Sequence, residues 1–600
     1  MARERDEKNK NAERQFVVIG AGPAGLTAAY ELTKHGYRPT VLEQTDKIGG
    51  LSRTESYKGY YFDMGGHRFF TKAKEVEKLW WEILGEEFIL RPRLSRIYYN
   101  KKFFYYPLKA VNALLGLGIW QAILILLSYL RWQIFPYKQE ETFDQWVTNR
   151  FGKRLFEIFF KTYTEKVWGI STSELKAEWA AQRIKDLSLR TALTSMFIKP
   201  GTKIKTLIEE FHYPRRGPGM LWEAAARAIE ERGGIVALNA DVIRVQREGK
   251  RVCSVVVAAN GTGEETIHGT DFISSMPVSE FVKRMTPVPP DVLRAAQKLH
   301  YRDFLTVCLI VNKPDLFPDN WIYIHSPEVK VGRIQNFKNW SPDMVPDASK
   351  TSLGLEYFCT EGDETWTMPD ADLIELGKHE IEKIGVAKYA DVQDGVVCRV
   401  PKAYPVYDSD YREYLGTVRQ FVDGLENVQT IGRNGLHRYN NQDHAMLTGM
   451  YAVRNLVLGE RNDLWNVNTD QEYHEQVREE PDVAEVFKGA LDEVFSRLDP
   501  VAMGLSIGTV SGLGLFFATL FLAIRGGMNV GLNLRLLDNF FPGYTVTVEG
   551  GFLGLVYAFI TGFIGGWALA FLRNIAVYVG ASIIRRDIQM HQLRKLLDWM

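Results

Sequence analysis

Three arginines stand among aromatic residues in segments of mixed polarity, and three tyrosines accompany them. The arginines are Arg183, Arg333 and Arg433, and the tyrosines are Tyr323, Tyr404 and Tyr439. Guanidinium groups bind phosphate oxygens through two parallel hydrogen bonds, and phenols donate to the same oxygens without adding charge. Each residue alone could instead pair with a surface acid or fill the core. As a set, they predict a site that holds a diphosphate.

A glycine-rich turn near the start of the chain predicts a dinucleotide site. The apolar strand QFVVI precedes GAGPAG, and the helical segment LTAAYELTKHG follows it. Gly20 permits the tight turn, Gly22 lets the backbone approach a pyrophosphate at the helix N-terminus, and Gly25 lets helix and strand pack closely. Glu43 ends the next strand, 18 residues after Gly25, where a carboxylate can accept hydrogen bonds from a ribose. These residues serve NAD and FAD equally well.

Two further glycine pairs favour FAD over NAD. Gly49-Gly50-Leu51-Ser52-Arg53 follows the second strand, and Gly65-Gly66-His67 stands within FDMGGHRFF. Residues without side chains let backbone amides approach a long, extended cofactor. This continuation resembles the flavin amine oxidase superfamily, in which it runs along the FAD pyrophosphate and ribityl chain. The resemblance implies cofactor contacts for Gly50, Leu51, Arg53, Gly66 and His67, and a position beside the adenine for Val242, in the predicted strand ADVIRVQRE.

The resemblance narrows to one branch of that superfamily across roughly residues 15–457. Six segments are similar, in the same order, to those of UDP-galactopyranose mutases, particularly the eukaryotic ones: FDMGGHRFF, KVWGISTSELKAEWAAQR, FHYPRRGPGMLWEAAA, WIYIHSPEVKVGRIQNFKNWSP, AYPVYD and GRNGLHRYNNQDHAM. It implies that the three arginines and three tyrosines bind the substrate diphosphate. It also implies that His67 lies beside the flavin N5 and forms the catalytic set with Arg183, Arg333 and Arg433.

The last of these segments supplies the remaining cofactor residues. The resemblance implies that Gly432, Asn441 and Gln442 bind the flavin, and that Asp443 and His444 belong to the stretch that closes over it. This chain has fewer residues between Tyr439 and that stretch than eukaryotic mutases have.

The sequence offers no side chain of its own for the central chemical step. No nucleophile elbow, cluster of metal ligands or cysteine pair lies beside the glycine motif, so the reactive atom is predicted to belong to the cofactor. In the mutases, N5 of reduced flavin attacks the anomeric carbon of the sugar, the diphosphate leaves, and the ring recloses through another hydroxyl. The arginines would hold the leaving diphosphate. The resemblance thus implies FAD that is first reduced, with NAD(P)H as a candidate reductant, and no net redox change.

Two departures from the mutases leave the substrate open. The stretch RPRLSRIYYNKKFFYYPLKAVNALLG does not align with the mutase uridine pocket, and the chain has long apolar segments near its C-terminus. A sugar linked to a nucleotide or polyprenyl diphosphate, used in cell-envelope glycan assembly, fits both features. The same fold also serves FAD-dependent oxidoreductases of the amine oxidase, protoporphyrinogen oxidase and desaturase types, which act on lipophilic substrates. A non-catalytic flavin scaffold is the third alternative.

Composition excludes several classes of protein. The 600 residues include 73 Lys and Arg and 73 Asp and Glu, so nucleic acid is not expected as a partner. With 46% hydrophobic residues, the chain has ample material for a core. Its four cysteines are widely spaced, which argues against a disulfide framework or a zinc site. Residues 1–14 are hydrophilic, so they are predicted to form a disordered tail and not a secretory signal.

Two uncharged segments near the C-terminus predict a transmembrane hairpin, with a pair of buried core helices as the alternative. Residues 501–524 and 550–572 each exceed the ~20 residues that span a bilayer. The basic tail beyond them predicts a cytoplasmic catalytic body by the positive-inside rule. A third apolar stretch, 111–130, is predicted to be an amphipathic helix that is buried or lies against the membrane. The acidic segment 458–500 is predicted to be a helical linker.

Together these elements predict an α/β fold. It contains an FAD-binding Rossmann-like domain of the GR2 type, interrupted by a helical and a mixed-sheet substrate domain and followed by the membrane hairpin. The FAD-binding segments are predicted at 15–100, 231–280 and 401–457, the helical domain at 101–230, the mixed sheet at 281–400 and the anchor at 501–600.

Overall fold

The computed structural model describes residues 14–106, 110–177, 210–259, 263–467, 498–526 and 532–597. The chain divides into two compact units. Among the described residues, the larger unit runs from 14 to 467, and the smaller comprises residues 498–526 and 532–597. Most of the predicted N-terminal tail and of the predicted linker lies outside the described residues.

The described residues contain twenty strands: β1 Phe16–Ile19, β2 Thr40–Leu42, β3 Thr54–Tyr57, β4 Tyr60–Asp63, β5 Phe88–Pro92, β6 Ser95–Tyr99, β7 Lys102–Tyr105, β8 Glu210–Pro214, β9 Ile235–Ala237, β10 Ala240–Glu248, β11 Arg251–Ala259, β12 Gly263–His268, β13 Asp271–Ser274, β14 Met285–Thr286, β15 Tyr301–Val311, β16 Trp321–Ile324, β17 Arg333–Asn336, β18 Thr351–Cys359, β19 Val392–Pro405 and β20 Val428–Thr430. The longer helices are α1 Pro23–Lys34, α2 Lys74–Leu84, α3 Ala110–Leu117, α4 Ile119–Ile134, α5 Phe143–Phe151, α6 Thr162–Trp168, α7 Gly219–Glu231, α8 Val278–Lys283, α9 Pro290–Gln297, α10 Asp370–Lys383, α11 Tyr411–Asp423, α12 Gln442–Val453, α13 Pro500–Arg525 and α14 Val548–Leu597. Shorter helical turns include Gly50–Ser52, Lys153–Phe156, Phe337–Trp340, Glu364–Thr367 and Gly432–Gly435.

A five-stranded parallel sheet, in the order β20-β13-β1-β2-β9, is the centre of the first layer. β1 is buried on both faces, as its apolar run FVVI predicts. Phe16 and Val18 pack against α1, α7 and α12 on one face. Val17 and Ile19 pack on the other face against the four-stranded sheet of β10, β11, β12 and β14. Strands distant in sequence thus meet where the chain passes from β1 into α1.

The second sheet has seven strands in the order β19-β15-β18-β17-β16-β6-β7. It is mixed, because β16 runs parallel to β6 and antiparallel to β17. On one face, Leu373 and Ile381 of α10 pack against apolar side chains of β15, β16 and β18. The other face packs in part against α5 and the helical turns after it. The centre of that second face carries polar side chains, which form the site described below.

Two helical regions differ in detail from the sequence expectation. The apolar stretch predicted as one helix at 111–130 forms α3 and α4, which are separated at Gly118, a residue with a φ of +86°. The predicted helical domain at 101–230 includes α7, but Leu221 and Trp222 of α7 pack against α1 beside the parallel sheet. An amphipathic pattern shows which face of a helix is buried and not which element covers it.

The smaller unit contains two long apolar helices that pack antiparallel. Pro500–Arg525 and Val548–Ile575 are long and apolar enough to be membrane spans. Gly504, Gly508 and Gly512 form the contact surface of α13, and a Cβ atom on Gly508 would lie 2.7 Å from the carbonyl oxygen of Phe559. Glycines spaced four residues apart let two backbones approach closely, as in packed membrane helices. The two helices therefore form a hairpin.

A buried carboxyl group ties the β3–β4 hairpin to the rest of the larger unit. Tyr213 of β8 donates to Oδ2 of Asp63, and Thr54 Oγ1 donates to Oδ1 at 2.9 Å. Thr54 Oγ1 also accepts from the backbone N–H of Gly219 in α7, at 3.0 Å. Burial raises the pKa of Asp63 to about 7, although the hydrogen bonds from Tyr213 and Thr54 oppose this shift.

We expect Gly25→Ala to destabilise the larger unit by about 1–3 kcal/mol, because the added methyl group collides with backbone that cannot move freely. The Cβ atom would lie 1.9 Å from the carbonyl oxygen of Gly20. The matched change Gly416→Ala, in α11, meets no atom within 4 Å and should leave stability unchanged or raise it by about 0.5–1 kcal/mol. Thermal unfolding of both variants measures the difference, and equal midpoints would contradict the close approach.

We expect Asp63 to make the protein less stable as pH rises from about 4 to 7. In that window the folded state keeps a proton that the unfolded state releases, so the free energy of unfolding falls by up to about 1.4 kcal/mol per pH unit. Asp63→Asn should remove this slope, as measured by denaturant unfolding at several pH values. Asp347→Asn, at an exposed carboxylate whose pKa Ser349 lowers, should retain it. A slope that survives Asp63→Asn would assign the titration elsewhere.

Candidate active site

The turn between β1 and α1 requires its glycines. Gly20 has a φ of +96°, and its carbonyl oxygen would be 1.9 Å from a Cβ atom on Gly25. Gly22 immediately precedes α1, and a Cβ atom on Gly50 would lie 3.0 Å from the Gly22 Cα atom. Two backbone segments therefore approach each other at the N-terminus of a helix, where the helix dipole attracts an anion such as a pyrophosphate.

A third segment completes this cradle. A Cβ atom on Gly432 would lie 2.9 Å from the Ala24 Cβ atom in the first turn of α1. The Gly432 N–H donates to Thr448 Oγ1 of α12 at 2.8 Å, which fixes the segment in place. Gly20, Gly22, Gly25, Gly50 and Gly432, all predicted from the sequence as cofactor residues, are thus gathered around one helix end.

Glu43 is buried at the end of β2 and supports the glycine turn. Its Oε2 accepts from the Ala21 N–H at 2.9 Å, and its Oε1 accepts from the N–H and Oγ1 of Thr45 at 3.0 and 2.9 Å. A carboxylate oxygen can accept two hydrogen bonds, so Oε2 has room for a ribose hydroxyl. The adjacent strand β10 begins here, because the Ala240 N–H donates to the Glu43 carbonyl oxygen at 2.7 Å.

Two other predicted cofactor residues have protein partners. Val242 is 1% exposed, its side chain belongs to the core of the first layer, and its carbonyl oxygen accepts from Arg284 at 2.6 Å. Arg53 donates from Nε to Glu55 at 2.7 Å, and Lys47 binds the other oxygen of that carboxylate. Leu51 follows Gly50 in the helical turn Gly50–Ser52 and is half-buried.

Gly65 and Gly66 place His67 against the second sheet. A Cβ atom on Gly66 would lie 3.0 Å from Gln335 Nε2. His67 Nε2 lies 2.8 Å from the Met64 carbonyl oxygen and donates to it, so Nδ1 is the acceptor that faces Ser52 Oγ at 3.4 Å. Burial, assisted by the positive charges of Arg433 and Arg333, lowers the pKa of His67 to about 4. The imidazole is therefore neutral at physiological pH.

The side chain of Gln442 identifies a place where a polar ligand belongs. Gln442 begins α12 after Asn441, which occupies the N-cap position. Both the Nε2 and the Oε1 atoms of Gln442 are buried and have no hydrogen-bond partner among the described residues. Buried amides rarely remain unpaired in native proteins. Together with the glycine cradle and Glu43, this orphaned amide fits an FAD molecule that extends from the end of α1.

Arg333 lies in the centre of the second sheet with a buried carboxylate partner. Its Nε and Nη2 atoms donate to Glu356 Oε2 at 2.9 and 2.5 Å, and Gln335 Nε2 donates to Oε1 at 2.8 Å. Glu356 is fully buried and stands opposite Arg333 in the β17–β18 register. The Nη1 atom of Arg333 has no hydrogen-bond partner among the described residues. One edge of the guanidinium is therefore fixed, and the other remains for a ligand.

The guanidinium of Arg433 packs against two stacked phenol rings. The rings of Tyr404 and Tyr439 are parallel within 7°, with centroids 5.7 Å apart. The Arg433 Cζ atom lies 5.5 Å from the first ring and 4.8 Å from the second. Its Nε donates to the Asn440 carbonyl oxygen and its Nη1 to that of Ala403. Among the described residues it has no carboxylate partner, so its positive charge is not compensated by an acid.

The two arginines converge beside His67. A Cβ atom on Gly65 would lie 3.7 Å from His67 Nε2 and 3.8 Å from Arg333 Nη2. The charges of Arg333 and Arg433 both act on His67 and on Tyr404, whose pKa burial raises to about 12. The structure thus brings Arg333, Arg433, Tyr404, Tyr439 and His67 together. Arg183 lies outside the described residues.

Tyr323 belongs to the same group of side chains. We call this group, which contains Arg333, Arg433, Tyr323, Tyr404 and Tyr439, the arginine wall. It stands opposite Arg333 in the β16–β17 register, and directly opposed residues of antiparallel strands project to the same face. Tyr163 of α6 lies with its ring centroid 5.3 Å from that of Tyr323 and stacks on His325 at 4.9 Å. Sequence reasoning missed Tyr163 and the arginine partner Glu356. A charged residue within the apolar run LGLEYF was the available signal for Glu356.

A second group of cations lies beside Tyr323. Arg68 and Arg93 lie with their Cζ atoms 5.0 and 5.5 Å from the ring of Trp321. Tyr106 links them to the site, because its ring centroid is 5.0 Å from that of Tyr323. None of these four was predicted individually. Arg93 lies in the stretch RPRLSR. In the sequence, this stretch is notable only because it does not align with the uridine pocket of the mutases.

Solved structures of low sequence identity share this fold. A reduced UDP-galactopyranose mutase superposes with a TM-score of 0.66 at 22% identity, over 76% of this chain and 98% of its own. A protein assigned as a protoporphyrinogen oxidase from Exiguobacterium superposes with a TM-score of 0.58 at 16% identity, over 75% of this chain and 99% of its own. At these identities the likeness concerns the fold alone.

The relatives found by sequence comparison include L-amino-acid oxidases. The L-amino-acid oxidase of Bungarus fasciatus is 25% identical over 343 residues, and that of Gloydius blomhoffii is 24% identical over 323 residues. Each alignment covers 50% of this chain, and the chain spans only 58% and 60% of the length of these two relatives.

A protein-family model matches a long, continuous part of the chain. The model of flavin-containing amine oxidoreductases matches residues 23–437, which include most of the cradle and both described arginines of the site. Because that match covers more than half of the chain, and because the cradle fits FAD, the protein belongs to the flavin-containing amine oxidoreductase family.

Proposed function

We propose that this flavoprotein isomerises a sugar that is linked through a diphosphate to a nucleotide or to a polyprenyl lipid, in the assembly of cell-envelope glycans. The observation that carries the proposal is the convergence of Arg333 and Arg433 on His67 and the Gly65 turn. Each guanidinium keeps N–H groups without a partner among the described residues. Paired arginines with phenols are the arrangement that binds phosphate oxygens.

The cofactor residues of this chain would hold FAD in an extended form. Gly22, Gly50 and Gly432 admit the pyrophosphate to the end of α1, Glu43 accepts a ribose hydroxyl, and Gln442 supplies its unpaired amide. When bound in its reduced form, FAD would supply a nucleophilic or hydride-donating ring atom. A nicotinamide nucleotide is the proposed reductant.

The side chains of the site have separable roles. Arg433 and the free edge of Arg333 hold the diphosphate as the bond to the sugar breaks, so that it stays in position for the same bond to re-form. Burial raises the pKa of Tyr404 to about 12, so its hydroxyl remains a donor to phosphate oxygens at physiological pH. His67 is neutral and donates to the Met64 carbonyl oxygen, so it orients the Gly65 turn without adding a third charge.

The second candidate function is net oxidation of a lipophilic substrate or an amino acid. The L-amino-acid oxidases among the relatives favour it, because an arginine can bind a carboxylate as well as a phosphate. The site argues against a simple amine substrate. The faces of Tyr404 and Tyr439 already hold the Arg433 guanidinium, and a substrate ammonium would be repelled by that charge.

We also propose that the hairpin of α13 and α14 anchors the enzyme in a membrane with the catalytic body on the cytoplasmic side. Both helices are apolar over a membrane-spanning length, and their contact is built from glycines. The segment after the second apolar span carries Arg573, Arg585, Arg586, Arg594 and Lys595, whereas the end of α13 and the connection after it carry Arg525 and Arg535. Cytoplasmic segments favour Lys and Arg.

Product analysis under reducing conditions tests the isomerase directly. We expect the dithionite-reduced, full-length protein to interconvert ring forms of uridine-diphosphate or polyprenyl-diphosphate sugars over many turnovers. The oxidised protein is the control and should be inactive. Consumption of one equivalent of oxidant per substrate molecule, with an oxidised product, would instead establish the oxidoreductase. Chromatography of the sugars and oxidant uptake are measured on the same samples.

We expect Arg433→Lys to lower kcat by about 10²–10³-fold while FAD remains bound, because a lysine cannot reproduce the planar guanidinium on the two phenols. The matched control is Arg438→Lys in the same segment, whose guanidinium donates to the Trp465 carbonyl oxygen. That variant should keep kcat within about threefold. Equal activity of the two variants, with equal flavin content by absorbance, would remove Arg433 from the reaction.

A further inference from the structure

Helix α4 presents a row of large apolar side chains to solvent. Trp120 is 77% exposed, Leu127 is 57% exposed and Ile134 is 68% exposed. Four other exposed apolar residues of the helix lie between them: Ile123, Leu124, Leu126 and Leu130. Soluble proteins rarely expose a continuous apolar patch of this kind without a binding partner.

Helix α4 packs against the rest of the larger unit through the face opposite the exposed row. Ile125 and Tyr129, on the opposite side of α4, are 3% and 8% exposed and belong to the packed interior. Gly152 fits closely beneath them, since its Cβ atom would lie 2.8 Å from the backbone of Tyr129. Ser128 Oγ accepts the backbone N–H of Arg154 at 3.1 Å, which closes the contact. The fold therefore fixes the helix by one face and leaves the other uncovered within the described residues.

The sequence around α4 is strongly basic. Residues 88–139 contain no Asp or Glu, and they contain eight cations: Arg91, Arg93, Arg96, Lys101, Lys102, Lys109, Arg131 and Lys138. The chain as a whole has equal numbers of acidic and basic residues, so this stretch is a local excess. An anionic surface attracts such a stretch, whereas a second copy of the same surface repels it.

Aromatic residues stand at both ends of the apolar row. Trp120 lies at the start of α4, and Trp132 stacks on Tyr137 just beyond its end, with ring centroids 4.6 Å apart. Phe135 is 70% exposed between them. Tryptophan and tyrosine prefer the level of lipid headgroups, and an amphipathic helix flanked by them lies in the plane of a bilayer surface.

We infer that the exposed face of α4 is a second membrane contact, which lies at the boundary between headgroups and acyl chains of an anionic bilayer. The apolar row enters the boundary, and the exposed cations Lys101, Lys102, Arg131 and Lys138 bind lipid phosphates. This contact goes beyond the proposed hairpin anchor, because it belongs to the catalytic unit itself. It brings that unit onto the lipid surface independently of the chain that follows residue 467.

Fluorescence quenching by lipids tests this contact in the full-length protein. Cys253 and Cys398 are replaced by serine, and an environment-sensitive fluorophore is attached at Leu127→Cys. Ile235→Cys is the matched negative control, because Ile235 is 59% exposed and lies outside the basic stretch. Val510→Cys in α13, which is 74% exposed, reports on the hairpin. Each protein is reconstituted in phosphatidylcholine vesicles, with or without phosphatidylglycerol, that carry spin-labelled lipid.

We expect lipid labelled near the headgroup to quench position 127 at least about twofold more than position 235, and more strongly with phosphatidylglycerol present. Quenching at 510 with none at 127 would overturn the contact and leave the hairpin anchor intact. A fluorophore at 127 shielded from aqueous iodide but not quenched by lipid would also overturn it, in favour of a protein partner. Equal quenching at 127 in both lipid mixtures would remove the role assigned to the cations.

Discussion

A positive charge buried in the middle of a β-sheet needs a fixed counter-charge, and Arg333 obtains one from Glu356. Removing two charges from water is costly, and the cost is recovered only with good geometry and additional hydrogen bonds. Gln335 supplies such a bond to the second carboxylate oxygen. The pair joins β17 to β18 and holds the guanidinium beside the Gly65 turn, with Nη2 on Glu356 and Nη1 left for a ligand. The geometry of the whole candidate site follows from that orientation.

The flavin cradle and the arginine wall are built by different kinds of interaction. At the cradle, Gly22, Gly50 and Gly432 leave room by having no side chains, so the site is a shape made by backbone. At the wall, the rings of Tyr404 and Tyr439 and the carbonyl oxygens of Ala403 and Asn440 hold Arg433, so the site is a set of directed side chains. His67 stands at the junction of the two and is kept neutral by burial and by the neighbouring guanidinium charges.

The sequence predicted the parts of the site that depend on local chain order. The β1–α1 turn, the apolar C-terminal helices and the β10–β11 hairpin were predictable because neighbouring residues determine them. Arg333 and Arg433 were reached through family resemblance, since nothing in the local sequence separates them from surface arginines. Glu356 and the exposed face of α4 were not predictable, because ion pairs between strands and the uncovered side of a helix are set by tertiary packing.

The net charge of the described site can be compared with the charge of a diphosphate. A diphosphate ester brings about two negative charges, and a site must compensate them when it excludes water. Glu356 neutralises Arg333, so the described pair supplies one net positive charge, from Arg433. Phenol hydroxyls donate hydrogen bonds without adding charge. A bound diphosphate therefore needs a further cation. The candidates are Arg68 and Arg93, beside Trp321, and Arg183, which the resemblance places in the diphosphate site.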